Sequence, residues 1–261
     1  MSMQKQEKLK NLLKLWPMHT ALPVSYLKEK GYSKALLQRY KASGWIDYLS
    51  RGVVVRPNDT VEWSGLLWGL QQLYPFHVGG KTALELQGKA HFVKFQETEI
   101  YIFSQSDFKF PKWLKEIKSK VKLINISTNL FPDTMGLKKH DFGEYHLNIS
   151  NPAQAFCEYM HIAEKYHGFD EAYYLMENLT FLSSDLMQEA LEKCRSVKVK
   201  RLVICLAKIQ DVSWYKDLDR SKIDLGTGAR QGVKEGHYDP ELLITYPKSW
   251  SKTEDESQFR K

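Results

Sequence analysis

The chain has 261 residues and a formal net charge of +7, with 38 Lys and Arg against 31 Asp and Glu. That length suits two domains, or one domain with an appendage, and no stretch approaches the roughly 20 apolar residues of a membrane-spanning helix. The three cysteines, Cys157, Cys194 and Cys205, are too few and too scattered for a disulfide framework or a Cys-x-x-Cys zinc site.

The start, Met1-Ser2-Met3-Gln4-Lys5, runs into a charged amphipathic segment and not a secretory signal, so a cytoplasmic protein with reduced thiols is expected. The positive charge is confined to one end. Residues 1–60 hold 11 Lys and Arg against 4 Asp and Glu, whereas residues 61–261 hold 27 of each. Leu9, Leu12, Leu13 and Trp16 recur at helical spacing over residues 4–16, with Lys5, Lys8, Lys10 and Lys14 mostly on the other side. Pro23 suits the first turn of a second helix that runs to Lys30 and stops at Gly31. Ser33 is a good N-cap for a third helix ending at Gly44. Two β-rich runs, Trp45–Leu49 and Val53–Arg56, then flank Ser50-Arg51-Gly52 as a hairpin. Helix, helix, turn, helix and hairpin within a basic module is the pattern of a winged helix-turn-helix, a DNA-docking domain.

Beyond residue 60, Val61–Tyr74 reads as a helix and Thr82–Gln87 as a short one opened by Gly79-Gly80. Strands are expected over 91–95, 99–104, 121–126 and 145–149. From Asn151 the pattern turns helical, with Pro152 in the first turn and further helices near 170–180, 184–195 and 197–209. A Gly-rich loop or hairpin follows from 223, with a last strand at Leu242–Tyr246 and a polar, frayed tail over 251–261.

On a wheel of about 100° per residue, Lys34, Gln38 and Lys41 fall within a narrow arc of the third helix. Leu36, Leu37 and Tyr40 fall on the opposite side, where Leu12, Trp16, Val24 and Leu27 can cover them, and Arg39 lies on the flank. The second helix of such a pair enters the major groove with its N-terminal residues nearest the bases. Ser33, Lys34 and Gln38 are therefore the candidates for base contacts, since Gln pairs with adenine and Lys donates to guanine. Lys41 and Arg39 suit phosphates. Arg51 at the hairpin tip and Arg56 at its end suit the backbone or minor groove, as a wing does.

The run Gly31-Tyr32-Ser33-Lys34-Ala35-Leu36-Leu37-Gln38-Arg39-Tyr40-Lys41, then Ser43-Gly44-Trp45-Ile46 and Arg51-Gly52-Val53, resembles the N-terminal domain of AbiEi-type antitoxins. The block Val78-Gly79-Gly80-Lys81-Thr82-Ala83-Leu84-Glu85-Leu86-Gln87-Gly88, with Ala90-His91, is similar as well and is the more specific of the two. The resemblance implies a winged helix-turn-helix joined to a C-terminal antitoxin domain, within a type IV toxin–antitoxin pair that aborts phage infection. It further implies repression of the protein's own two-gene operon through promoter inverted repeats. The implied partner is an AbiEii-type nucleotidyltransferase toxin, countered without a stable complex.

Other patterns are weaker. Gly80-Lys81-Thr82 looks like the end of a phosphate-binding loop, but the required earlier glycine is replaced by Pro75. Gly226-Thr227-Gly228-Ala229-Arg230-Gln231-Gly232 places its third glycine one residue late for a dinucleotide fingerprint and reads as a flexible loop. Asp107, Glu116 and Lys118 have a loose nuclease spacing, but Phe110–Lys118 reads as a helix and not as the strand such a site needs. His140 and His146, like His161 and His167, are six apart, a poor spacing for metal ligands on a helix. Most of the aromatic series Phe156 to Phe181 suits a core, with some members available to a partner. A second basic cluster, Lys193, Arg195, Lys198, Lys200, Arg201 and Lys208, suits either nucleic acid or a solvated face with acidic neighbours.

The expected fold is α/β (α+β): a winged helix-turn-helix over residues 1–60, then a mixed C-terminal antitoxin domain over 61–261, sheet first and helices after. Residues 61–95 could pack with the N-terminal domain. The expected function is sequence-specific binding of double-stranded DNA by an autoregulating repressor and antitoxin, with no catalysis, cofactor, metal or membrane. The alternatives are a metal-dependent nuclease using the Asp107, Glu116 and Lys118 set, and a protein-binding module using the winged fold.

Overall fold

The spacing of Leu9 and Leu12 and the Trp16-Pro17 stop make one apolar stripe, which is buried in the computed structural model. The structure describes residues 3–89, 98–105, 109–117, 121–132, 135–179 and 182–251. The chain divides into two compact units: Met1–His77, Lys94–Ser127 and Lys139–Ile149 in the first, and Val78–Val93, Thr128–Lys138 and Ser150–Lys261 in the second.

The first unit opens with α1 (Met3–Leu15), β1 (Leu22–Pro23), α2 (Val24–Glu29), α3 (Lys34–Ala42), β2 (Asp47–Ser50) and β3 (Val53–Val55). The three strands form an antiparallel sheet in the order β1-β3-β2. This is a winged helix-turn-helix. Pro23 closes β1 and sits at the N-cap of α2, so the second helix begins one residue later than its sequence suggests. Ser33 caps α3, its hydroxyl oxygen accepting the Leu36 N–H at 3.3 Å, and Gly44 takes a left-handed φ of 70° just past the C-cap. Trp16, Leu37, Tyr40, Ile46 and Val54 are wholly buried between the helices and the sheet. Each such Leu or Val contributes roughly 1.5–3 kcal/mol relative to exposure.

Next comes α4 (Trp63–Gln71). Gly65 and Gly69, one turn apart on it, meet main chain. An added Cβ would come 1.9 Å from the His19 carbonyl oxygen at the first and 1.8 Å from that of Ala21 at the second. Only glycine permits that approach, which also lets Ala21 N–H donate to Gly65 O at 3.3 Å. The chain continues through β4 (His77–Val78), α5 (Gly80–Leu86), β5 (Thr98–Ser104), β6 (Val121–Ser127), β7 (Leu137–Asp141) and β8 (His146–Ser150). A five-stranded sheet runs in the order β6-β5-β4-β8-β7, with β5 and β6 parallel and Thr98 opposite Val121. Between those two strands, the helix expected over Phe110–Lys118 is only a 3-10 turn, Lys112–Glu116, and Ile117 is already extended. The strand expected over 91–95, Phe181 and all but the first residue of the polar tail lie outside the described residues.

The second unit is built around α6 (Pro152–Tyr166) and α9 (Val197–Gln210), with α7 (Asp170–Glu177), α8 (Ser184–Lys193), α10 (Ser213–Lys216) and the antiparallel pair β9 (Gly236–Asp239) and β10 (Ile244–Pro247). Asn151 caps α6, accepting the Gln154 N–H at 2.9 Å, with Pro152 in the first turn as its fixed φ allows. The last strand starts at Ile244 because Leu243 takes a positive φ of 51°. Phe156, Tyr159, Phe169 and Met176 are core, and Tyr174 is exposed. All three cysteines are free and buried, and burial pushes the Cys194 thiol up to about 11 and that of Cys205 to about 12. They stay protonated and unreactive.

Within this unit the Gly79-Gly80-Lys81-Thr82 block is already supplied with anions. Gly80 N–H donates to Glu158 Oε2 at 2.9 Å. The same buried carboxylate accepts from Ser150 Oγ at 2.6 Å and from Gln154 Nε2 at 2.8 Å. Lys81 Nζ lies 2.6 and 2.8 Å from the two oxygens of Glu171, and both side chains are largely buried. The positions that would hold a phosphate in a nucleotide site hold the protein's own carboxylates. Removing one member of a buried pair strands the other charge, at a cost of about 3–5 kcal/mol. Lys81→Met is therefore expected to lower unfolding free energy by roughly that amount in denaturant titrations, and Lys81→Met/Glu171→Leu to recover most of it. A double variant no more stable than Lys81→Met would show that the pair is not the source of the loss.

Candidate nucleic-acid interface

Burial of Leu36, Leu37 and Tyr40 turns the rest of α3 outward. Ser33, Lys34, Gln38, Arg39 and Lys41 are all exposed on it. Lys34, Gln38 and Arg39 make no side-chain hydrogen bond or ion pair with a described residue. The Ser33 oxygen is engaged in the cap, which leaves its O–H free to donate. Lys41 leans back, its Nζ 5.2 Å from the centre of the Tyr48 ring on β2, a contact that steadies it beside the hairpin.

The hairpin separates the two arginines expected to act together. Arg51 is exposed at the tip. Arg56 is turned inward, its Nη2 donating to Leu13 O at 2.7 Å and also to Trp16 O, with the guanidinium 6.0 Å from the Trp16 ring centre. It satisfies carbonyls at the C-terminal end of α1, where a cation also opposes the helix dipole. Arg56, read as a wing contact beside Arg51, is thus engaged with the end of α1 and only partly exposed. Its Nε, buried without a partner, is no freer to reach outward.

The tip is supported from behind. Gly52 has a φ of 109°, and a Cβ there would come 3.2 Å from Cδ1 of Trp113 in the 3-10 turn. Ser50 Oγ donates to Glu116 Oε2 at 2.9 Å, and Gly52 O accepts the Val24 N–H at 2.8 Å. Glu116 therefore braces the hairpin, while Asp107 and Lys118, its partners in the nuclease reading, lie outside the described residues. Sequence reasoning missed Tyr48, Trp113 and Glu116 as partners of the wing, because only the fold brings residues 113 and 116 to residue 52.

Four members of the second basic cluster are engaged or buried, whereas Lys193 and Arg195 are exposed. Lys198 pairs with Glu164 at 2.8 Å and holds its carboxyl below the usual range. Lys208 bridges Asp239 at 3.1 Å and Glu241 at 2.6 Å, and with Arg220 it draws the Glu241 carboxyl down to about 2. Lys200 is buried. Buried Arg201 donates to the carbonyls of Leu225, Gly226, Gly228 and Leu243 at 2.7–3.2 Å, so the Gly-rich loop expected to be flexible is held from within. Among the described residues no cluster of three or more His, Cys, Asp or Glu could hold a metal ion, and no helix is long and apolar enough to cross a membrane.

Residues 5–95 match the family model described as "Transcriptional regulator, AbiEi antitoxin N-terminal domain", and residues 97–247 match "Transcriptional regulator, AbiEi antitoxin, Type IV TA system". The chain belongs to the AbiEi family. No curated protein matches it. Among solved structures it is similar to the crystal structure of the RV2827C protein from Mycobacterium tuberculosis, at 14% identity and a TM-score of 0.49, over 90% of this chain and 88% of that one. As an AbiEi-family member it is a transcriptional regulator and antitoxin of the type IV class.

The two hairpin arginines make a direct comparison. Arg56→Ala in this AbiEi-family chain is expected to lower stability by about 1–3 kcal/mol, since it leaves the carbonyls of Leu13 and Trp16 without their donor. Arg51→Ala should leave the melting temperature unchanged and weaken DNA binding. Thermal melts and DNA titrations of both variants check this, and equal melting temperatures would return Arg56 to the interface.

Proposed function

We propose that this AbiEi-family chain is a sequence-specific double-stranded-DNA-binding repressor of its own two-gene operon, acting at inverted repeats in the promoter. It is also the antitoxin that counters an AbiEii-type nucleotidyltransferase toxin without a stable complex. The observation that carries the DNA-binding part is the outward face of α3, where Lys34, Gln38 and Arg39 stand exposed without a side-chain partner among the described residues, with Arg51 exposed at the tip of the wing. The basic surplus of residues 1–60 supports it. Family membership supports the antitoxin part.

In this reading Ser33, Lys34 and Gln38 at the start of α3 read base edges in the major groove. Arg39, Lys41 and Arg51 bind phosphates or the minor-groove edge, which supplies most of the affinity and makes it steeply salt-dependent. Arg56 acts indirectly, by holding the end of α1 under the hairpin.

A mobility-shift titration on the upstream region of the chain's own gene, against scrambled DNA at two salt concentrations, tests the reading. A selective shift that weakens at higher salt is expected, with Gln38→Ala relaxing the preference between the two DNAs. No selective shift by the wild-type chain would overturn the repressor role. Co-expression with the neighbouring gene tests the antitoxin role, and toxicity that persists with the chain present would overturn that half alone.

A further inference from the structure

The turn Lys112–Glu116 does more than brace the hairpin. In a 3-10 helix, side chains three apart eclipse one another. Trp113 and Glu116 form one such row, and both engage the hairpin: Trp113 lies under Gly52, and Glu116 accepts from Ser50 at 2.9 Å. Lys112 and Lys115 form the next row, roughly a third of a turn around. Both are exposed, and neither is paired with a described carboxylate. Glu116 is the only acid within the turn, and Ser50 already occupies one of its oxygens.

We infer that this turn is a working extension of the wing, in which Trp113 and Glu116 position the Arg51 tip and Lys112 and Lys115 bind DNA phosphates beside it. The inference rests on the DNA-binding reading above and enlarges its footprint. The ligand is the sugar-phosphate backbone, because paired ammonium groups without a planar hydrogen-bonding fork or acceptor carry charge but little base discrimination. β2 is the outer strand of its sheet, so the turn that carries the two lysines is fixed at the edge of that sheet.

The test uses the full chain as wild type, Lys112→Gln/Lys115→Gln, Arg51→Ala, Trp113→Ala and Trp113→Ala with Arg51→Ala, titrated on operator and scrambled DNA over a range of salt. The lysine variant keeps the Trp113 and Glu116 contacts and should melt as wild type does. It is expected to lose about tenfold in affinity on both DNAs, and the slope of log K against log salt should become shallower by up to about 1.8, the value for two phosphate contacts. Arg51→Ala should cost less in the Trp113→Ala background than in the wild type, because a tip without its support no longer holds Arg51 in place. Unchanged affinity and slope in the lysine variant, with the wild type binding selectively, would overturn the phosphate role and leave the repressor reading intact. Equal Arg51→Ala costs in both backgrounds would overturn the positioning role. A wild-type chain that shifts neither DNA would bring down the underlying reading, and this inference with it.

Discussion

Three buried side chains set the rotation of α3, and the chemistry of the first unit follows from that rotation. Leu36, Leu37 and Tyr40 fill one side of a nine-residue helix and lock against Trp16, Ile46 and Val54. Turning the helix half-way round would expose them and drive Lys34 and Gln38 into the core, losing several kcal/mol of apolar burial and stranding polar groups without partners. The outward donors are thus a consequence of packing. Ser33 sharpens the arrangement, because a capped N-terminus fixes where the helix begins and so which residues stand at its leading end.

Net charge alone would not single out this face, since lysines and arginines are frequent throughout the chain. Several cations of the second unit differ from those of α3 in having a partner already in reach. In the second unit Lys81 has Glu171, Lys198 has Glu164, Lys208 has Asp239 and Glu241, and Arg201 has backbone carbonyls. A cation already paired projects little field, whereas an exposed unpaired one contributes its whole charge to the attraction of a polyanion. The same logic disposes of the Gly80-Lys81-Thr82 block as a phosphate site. Its backbone donor and its lysine are both occupied by carboxylates of the same unit.

Local rules made much of this legible. The helical period, the Ser33 cap, the Gly44 stop and the Arg51-Gly52 turn identify the winged module before any coordinates, and the AbiEi-like blocks point to the family. The engagement of Arg56 with α1 was not legible, because a residue closing a hairpin reads as a wing residue until the end of α1 is found beneath it. The two-residue strand β1 escaped notice because a segment that short has no alternation to detect. Phe110–Lys118 reads as a helix from sequence, where the structure has a 3-10 turn over Lys112–Glu116. The 3-10 period places Trp113 and Glu116 in one row, and both meet a hairpin some sixty residues earlier, a contact no local pattern reveals.

That last contact bears on how the molecule divides. A hairpin of four and three residues, joined to a two-residue strand, is a small sheet, and an isolated two-stranded hairpin is at best marginally stable in water. It needs packing from outside to hold a tip residue in one place. The sequence supplies that support from residues 113 and 116, which fall in the segment that matches the antitoxin model and yet belong to the same compact unit as the helix-turn-helix. The close approach of Gly65 and Gly69 to the main chain at His19 and Ala21 binds α4 to that unit in the same way. The apparatus that presents the cationic face is therefore larger than the basic segment that carries the charge. Charge marks where the face is, and packing from residues well beyond it determines how firmly the face is held.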